Sequence, residues 1–258
     1  MRWFFPFDPL ISGSRPWRPW GLLVLWFLVL SFPAGADFSV SPIRLEFDRN
    51  TKTGSLTVSN TNANQPLQAQ VKLYAWSQDA EGQDQYEESN DLTWFPRLFT
   101  TPPQGTQLVR AGIRAPATAK EQTYRLFIEE IPAPRQPGEQ GTAVAVAVRF
   151  GVPIFLKPMQ ENLQGEVSGV EANKERLLVR VTNTGNVHFR IKSIAVQGGG
   201  GFSKELDGWY LLAGAARGHA IPLEPGVCAK LGRVEVRVIT DREQELKGEA
   251  VIDGKACR

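Results

Sequence analysis

The sequence predicts an all-β protein made of two antiparallel β-sandwiches in tandem. Short runs of Val, Leu, Ile, Phe and Tyr alternate with polar residues, and turn clusters rich in Gly, Pro and Asn separate them. The chain also repeats itself. Residues 56–73 (LTVSNTNANQPLQAQVKL) and 178–194 (LVRVTNTGNVHFRIKSI) each contain a strand, an Asn-Thr turn and a second strand, with Asn60 and Asn183 at equivalent places. Two such units indicate two similar sandwiches.

The first 36 residues have the features of an export signal. Arg15 and Arg18 lie just before the apolar run GLLVLWFLVL, which is short for a membrane span. SFPAGA follows and places Ala34 and Ala36 at the small-residue positions that signal peptidase recognises. We therefore expect residues 1–36 to be removed and the mature chain to begin at Asp37. An uncleaved anchor is the alternative.

The mature chain would carry no net charge. Three of the 29 basic residues and one of the 27 acidic residues fall within residues 1–36, which leaves 26 of each. Because a neutral chain has no general attraction to polyanions, we expect neither nucleic acid nor anionic lipid as a partner.

The only two cysteines, Cys228 and Cys257, predict a disulfide in an exported chain. They are too few for a zinc site of the usual spacing.

No motif in the sequence indicates catalysis. The two histidines, His188 and His219, have no nearby Cys or Ser motif, and neither G-x-S-x-G nor H-E-x-x-H occurs. The acidic stretch DAEGQDQYEE (79–88) does not fit a calcium loop, and QGGGGF (197–202) lacks the strand-to-helix transition of a phosphate loop. We therefore expect a protein that is not an enzyme and has no metal, cofactor or small-molecule substrate.

The stretch TAVAVAVRFGVPIFLKP, residues 142–158, has an unusual alternation. Val144, Val146 and Val148 project to one side of an extended chain, and the alanines between them project to the other. A strand buried between two sheets normally needs volume on both faces. The valine row therefore either fills the core of this chain or faces a partner.

The order of several motifs resembles that of the PapD-like periplasmic chaperones of the chaperone–usher pilus pathway. The motifs are SPIRLEF (41–47), LTVSNTNANQPLQAQVKLYAW (56–76), LFTTPPQGTQLVR (98–110), KEQTYRLFIEEIP (120–132) and VAVAVRFGVPIFLKP (144–158). The resemblance covers the mature chain and implies two immunoglobulin-like sandwiches set in an L, over about 37–158 and 159–258. It also implies a periplasmic chaperone that stabilises pilus subunits and delivers them to an outer-membrane usher.

For the valine row, the resemblance favours a partner over the chain's own core. Val144, Val146 and Val148 would fill gaps in the incomplete core of a pilus subunit, which is a form of strand addition at a sheet edge. The short segment APRQPGEQG (133–141) before the row is typical of the family's short-loop branch. The resemblance leaves open whether the free protein caps this strand by forming a dimer.

The resemblance also implies how the subunit's C-terminal carboxylate is held. Arg44 matches the family's cleft arginine, whose charge-assisted hydrogen bonds bind that group. Pro153 stands where the family has a second base, a lysine. The candidates to replace it are Arg149, Lys157 or a residue elsewhere, and Arg149 is the expected substitute because it lies on the same strand.

A further set of charged residues matches the family's link between its two sandwiches. Glu121, Lys157 and Asp241 occupy the places of an acid–base–acid cluster, with Lys where the family usually has Arg. Because Lys cannot form the two-pronged contact of Arg, we expect this cluster to be looser.

Two other functions remain as alternatives. A surface adhesin or carbohydrate-binding sandwich would need an exposed aromatic platform, for which Trp76, Trp94 and Trp209 are the candidates. A structural sandwich module of a periplasmic complex unrelated to pili is the third option.

Overall fold

The computed structural model describes residues 38–132 and 146–257. Apart from two short 3-10 turns, Gly199–Gly201 and Cys228–Lys230, the regular elements in this part are strands. The prediction of an all-β protein is confirmed. No described helix is long and apolar enough to cross a membrane. The predicted export signal, the segment 133–141 and Val144 lie outside the described residues.

The strands before Pro158 form two sheets. Their bounds are β1 Phe38–Ser41, β2 Leu45–Phe47, β3 Thr53–Asn60, β4 Leu67–Gln78, β5 Asp84–Glu88, β6 Leu92–Phe95, β7 Leu98–Thr101, β8 Thr106–Ile113, β9 Gln122–Glu130 and β10 Arg149–Leu156. One sheet has the order β1-β3-β8-β6, and the other has the order β2-β10-β9-β4-β5, with β7 beside β4. All pairs are antiparallel except β10 with β2, which is parallel.

The alternation predicted from the sequence fills the space between these two sheets. Leu126 and Ile128 on β9 and Val152 and Ile154 on β10 are completely buried in one apolar cluster. Successive side chains of a strand point to opposite faces, so the residues between them face away from this core. The same alternation therefore determines which residues of β9 and β10 lie in the core and which lie on the outer face of the sheet.

The strands after Pro158 form two further sheets. Their bounds are β11 Gly165–Ala172, β12 Arg176–Asn183, β13 Phe189–Gly198, β14 Phe202–Asp207, β15 Tyr210–Leu211, β16 Ala216–Pro222, β17 Arg233–Thr240 and β18 Glu245–Val251. The sheets have the orders β11-β12-β16 and β14-β13-β17-β18, with β15 beside β13. A second apolar cluster lies here, and it also takes in Trp76 and Phe155 from β4 and β10. The predicted boundary after Pro158 lies between β10 and β11.

The sequence repeat corresponds to a repeated turn. Asn60 and Asn183 are both buried, and each accepts a hydrogen bond from the backbone N–H two residues later, at 3.0 Å in both cases. Each side-chain amide also donates to distant carbonyls, Asn60 to Pro102 at 3.0 Å and Asn183 to Leu211 at 3.0 Å. Asn suits this place because its side chain caps a turn and satisfies buried backbone groups.

A disulfide closes the C-terminal part of the chain. Cys228 and Cys257 are bonded, with their Cα atoms 5.6 Å apart and 29 residues of sequence separation. Closing a loop of this length in the unfolded chain stabilises the folded state by about 3–4 kcal/mol in the chain-entropy picture. Cys228 is buried at the edge of the second cluster, so the bond holds the last turn against that core.

His219 on β16 makes the stability of the fold sensitive to acid. Burial, with a smaller contribution from the charge of Arg217, lowers the pKa of His219 to about 4. Between the ordinary pKa of about 6.5 and this value, the unfolded chain takes up a proton that the folded chain does not. Stability is therefore lost as the pH falls through this window.

Replacing His219 with Gln is expected to remove that loss. The variant should lose about 1–3 kcal/mol less free energy of unfolding between pH 7 and pH 4.5 than the unaltered protein, allowing for solvent screening. Urea unfolding at the two pH values measures this difference. Equal losses in the two proteins would contradict the prediction.

Candidate functional site

One apolar row runs from the core of the first sandwich into solvent. Ile154 and Val152 on β10 are completely buried, Phe150 and Val148 are partly buried against the same cluster, and Val146 is 76% exposed. Residues two apart on an extended chain share a face, so the row continues one side of β10. The structure thus places Val148 at the border of the core and Val146 beyond it.

The strand that carries this row has an open edge. Strand β9 covers one edge of β10 along its whole length, from Arg149 opposite Glu129 to Leu156 opposite Gln122. On the other edge, β2 pairs only with Ile154–Leu156. Among the described residues, nothing pairs with that edge at the start of β10. Unpaired backbone groups of this kind can form a ladder with a strand of another chain.

Two arginines flank Pro153 on the outer face of the same sheet. Arg125 on β9 lies directly opposite Pro153. Arg44 lies on the other side of Pro153, because the next pair along the parallel strands is Leu45 with Ile154. The structure therefore places Arg44 beside Pro153, the position at which the family's second base is absent.

Arg44 is already paired with acidic groups. Its Nε lies 3.2 Å from Glu46 Oε1, and its Nη1 lies 3.9 Å from Asp241 Oδ2. Asp241 also accepts a hydrogen bond from the backbone N–H of Arg190, at 2.8 Å. Arg44 is thus held between β2 and the second sandwich, with its side chain about half exposed.

Arg149, the expected substitute for the absent lysine, lies apart from Arg44. It is four residues from Pro153 on the same strand, which is roughly 13 Å of extended chain. Its Nε forms an ion pair with Glu129 Oε1 at 2.9 Å, and its guanidinium lies 3.6 Å above the centre of the Phe127 ring. The structure does not bring Arg149 and Arg44 together beside Pro153.

Arg125 is the cation that the sequence reasoning missed. The residue is only 9% exposed, and its buried Nε and Nη1 have no hydrogen-bond partner among the described residues. The guanidinium carbon lies 4.7 Å from the centre of the Trp76 ring and 5.7 Å from that of Trp209. A buried charge without an acidic partner is costly, so Arg125 is suited to receive an anion. The sequence feature that could have indicated Arg125 is a basic residue within the otherwise apolar run TYRLFI.

A glycine makes the room that Arg125 occupies. Gly151 lies on β10 opposite Phe127, and a Cβ at this position would lie 2.9 Å from Nε of Arg125. The same Cβ would also lie 2.9 Å from the Phe127 ring. Any larger residue would displace the guanidinium or the ring, so glycine at this position allows Arg125 to pack closely against β10.

The predicted acid–base–acid cluster needs correction, beginning with Glu121. Its side chain is buried, and its Oε2 accepts from the backbone N–H of His188 and contacts His188 Nδ1, both at 2.8 Å. The His188 ring in turn stacks on Phe155, with centroids 3.5 Å apart. Glu121 therefore does link the two halves of the chain, but its partner is His188 and not Lys157.

The other two members of that cluster are joined indirectly. Lys157 Nζ pairs with Glu46 Oε2 at 3.3 Å and with Glu161 Oε1 at 3.4 Å, and Glu46 in turn pairs with Arg44, which reaches Asp241. Burial raises the pKa of Glu46, but its hydrogen bond to Lys157 and the charges of Lys157 and Arg44 outweigh burial and hold that pKa below its ordinary value. Glu46 on β2 and the adjacent Arg44 therefore connect Lys157 to Asp241, and the match to the family's cluster did not include them.

The three tryptophans of the carbohydrate-binding alternative do not form one exposed platform. Trp76 is buried against Arg125 and the second apolar cluster. Trp94 lies on β6 in the opposite sheet, and its Nε1 donates to the carbonyl of Val71 at 3.0 Å. Trp209 is partly exposed and lies beside Arg125. These three tryptophans therefore do not provide one stacking surface for a sugar ring.

Comparison with known proteins agrees with this arrangement of strands. The profile of the family described as "Pili and flagellar-assembly chaperone, PapD N-terminal domain" matches residues 37–162. Over these residues the chain is PapD-like. No curated protein sequence matches it. The matched region contains the open strand, Arg44 and Arg125, and the resemblance inferred from the ordered motifs is confirmed.

Solved structures extend the PapD-like fold beyond the matched region. The CsuC–CsuE chaperone–tip subunit complex of Acinetobacter baumannii is 18% identical, with a TM-score of 0.58, over 83% of this chain and 98% of that one. The CupB2 chaperone of Pseudomonas aeruginosa is 20% identical, with a TM-score of 0.52, over 83% and 100%. The SafA–SafB pilin–chaperone complex of Salmonella enterica is 19% identical, with a TM-score of 0.51, over 83% and 95%. The predicted fold of two immunoglobulin-like sandwiches is confirmed.

Proposed function

We propose that this PapD-like protein binds pilus subunits by lending them a strand. The observation that carries the proposal is the apolar row of β10, which leaves the core at Val148 and is exposed at Val146, on a strand with an open edge. A subunit that lacks one strand of its own sandwich would present the complementary features, an open edge and an unfilled groove. The family match to pilus-assembly chaperones supports this class of partner.

Binding would combine side-chain burial with backbone pairing. Val146 and Val148, with Val144 before them, would enter the groove of the subunit while the start of β10 extends its sheet. Burying an exposed valine such as Val146 completely is worth roughly 1.5–3 kcal/mol. The same contacts cover apolar surface that would otherwise make a strand-deficient subunit aggregate.

The C-terminal carboxylate of the subunit would be held beside Pro153. Arg125 offers a guanidinium that is buried and has no acidic partner within residues 38–132 and 146–257, whereas Glu46 and Asp241 already pair with Arg44. Charge-assisted hydrogen bonds to a carboxylate would satisfy the unpaired nitrogens of Arg125. We therefore assign the main anchoring contact to Arg125, with Arg44 as the second cation, and give Arg149 no direct part in it.

The remaining steps of the proposal follow from the family. The protein would act in the periplasm, without catalysis or a cofactor, and would pass each subunit to an outer-membrane usher. Release would occur when another strand replaces the lent one, so no nucleotide is needed. The CsuC–CsuE and SafA–SafB structures, each a complex of a chaperone with its own subunit, support subunits as the partner class.

Co-expression with a strand-deficient pilus subunit encoded beside this gene tests the proposal. We expect the subunit to accumulate in the periplasm as a soluble one-to-one complex with this protein, and to aggregate or be degraded without it. Size-exclusion chromatography of the periplasmic fraction measures both outcomes. A subunit that stays soluble alone, or that never co-elutes with this protein, would overturn the proposed function.

A further inference from the structure

Trp209 connects the basic group of the first sandwich to the second sandwich. It lies between β14 and β15, yet its indole is 5.7 Å from the guanidinium carbon of Arg125. Its Nε1 donates a hydrogen bond to Asp84 Oδ2, on β5, at 3.2 Å. One side chain of the second sandwich therefore contacts both the unpaired cation and a nearby carboxylate.

The backbone on both sides of Trp209 is fixed. A Cβ on Gly208 would lie 2.3 Å from Cβ of Ile191, so only glycine allows this turn to pack against β13. The backbone N–H of Ile191 donates to the carbonyl of Trp209 at 3.0 Å. Gln78 of the first sandwich donates to the carbonyl of Tyr210 at 2.9 Å. The position of the indole is therefore set by packing and by bonds from both sandwiches.

Asp84 is held by neutral donors. Gln78 Nε2 binds its Oδ1 at 3.0 Å, and the Tyr86 hydroxyl and Trp209 Nε1 bind its Oδ2 at 3.3 and 3.2 Å. No ion pair joins Asp84 to Arg125 in the described part of the chain, although Trp209 contacts both. These donors occupy the carboxylate that, like Arg125, lies in contact with Trp209.

We propose that Trp209 is a positioning residue that keeps Arg125 available to a carboxylate ligand. The indole lies 5.7 Å from the guanidinium carbon, within the range of a cation–π contact. Its N–H holds the carboxylate of Asp84 in a hydrogen bond, so Asp84 does not compete with the ligand's carboxylate for Arg125. This inference rests on the proposed function, since it takes the ligand to be the C-terminal carboxylate of a bound strand.

Paired peptides isolate the carboxylate contact. The probe is a lysine-tagged peptide of about ten residues with alternating Val and Thr, the length of a long strand, made with a free C-terminal carboxylate and as the C-terminal amide. We expect the unaltered protein to bind the acid at least tenfold more tightly than the amide, measured by calorimetry at low salt. The ratio of the two affinities reports the contact with the carboxylate, whereas strand pairing contributes equally to both.

Two variants of Trp209 separate its two roles. Trp209→Leu removes the ring, and Trp209→Phe keeps a ring but removes the N–H that holds Asp84. Both are expected to lower the acid-to-amide ratio about threefold to tenfold. Asp84→Asn in the Trp209→Phe background should restore the ratio, because it removes the competing charge. Thermal unfolding identifies any variant that is misfolded, and the double variant then provides the comparison.

The outcomes distinguish this inference from the proposed function. If both affinities fall equally in the Trp209 variants, Trp209 has only a structural role and the inference is overturned. If the unaltered protein binds acid and amide equally, the anchoring at Arg125 is overturned together with this inference. If it binds neither peptide, the proposed strand pairing is itself contradicted.

Discussion

Replacing Val146 with arginine is expected to abolish subunit binding without destabilising the free protein. Val146 is 76% exposed, so a charged side chain there remains solvated until a partner binds. In the complex, the variant loses the burial of one valine, roughly 1.5–3 kcal/mol, and places a cation without a partner in an apolar groove, which costs several kcal/mol more. The affinity should therefore fall by about a thousandfold or more. Co-purification from the periplasm and thermal unfolding of the free variant check both parts.

A matched control is available on the second sandwich. Val251, at the end of β18, is 80% exposed and has the same chemistry as Val146. Val251→Arg adds the same charge and removes the same apolar surface, but it lies outside the proposed strand. We expect this variant to retain full binding. Equal binding by both variants would show that the exposed end of the apolar row does not enter the subunit.

Local patterns were enough to predict the fold and the repeated turn. Alternation with a period of two specifies which side of a strand is buried, as Leu126 and Ile128 show on β9. Asn60 and Asn183 could be matched because an Asn in a tight turn serves its own neighbouring backbone. Both signals depend on residues that are close in sequence.

Local patterns could not predict which charged residues pair with one another. Glu121 binds His188, and Lys157 binds Glu46, because strands distant in sequence bring these side chains together. Arg125 was missed for a related reason. Its surroundings come from β4, β10 and the turn before β15, so an isolated basic residue in an apolar strand did not reveal which groups would enclose it.

Replacing Arg125 with methionine is the second substitution expected to have a large effect. Truncating one partner of a buried, hydrogen-bonded charge pair costs about 2–5 kcal/mol, so subunit affinity should fall roughly 30-fold to several thousandfold. Binding measured with the purified subunit gives the ratio. Arg149→Ala is the control, because an exposed ion pair such as Arg149–Glu129 is worth at most about 1 kcal/mol. A larger loss in the Arg149 variant would instead make Arg149 the anchor.

The stability of the Arg125 variant provides a second, independent criterion. Nε and Nη1 of Arg125 are buried without a partner in the part of the chain that the structure describes, so methionine removes an uncompensated charge while keeping most of the volume. The free energy of unfolding should stay the same or rise, even as binding is lost. A residue kept for the fold alone would behave oppositely, since its removal would destabilise the free protein and leave the affinity of the remaining folded molecules unchanged. The combination of retained stability and lost affinity therefore identifies Arg125 as a group held ready for a ligand.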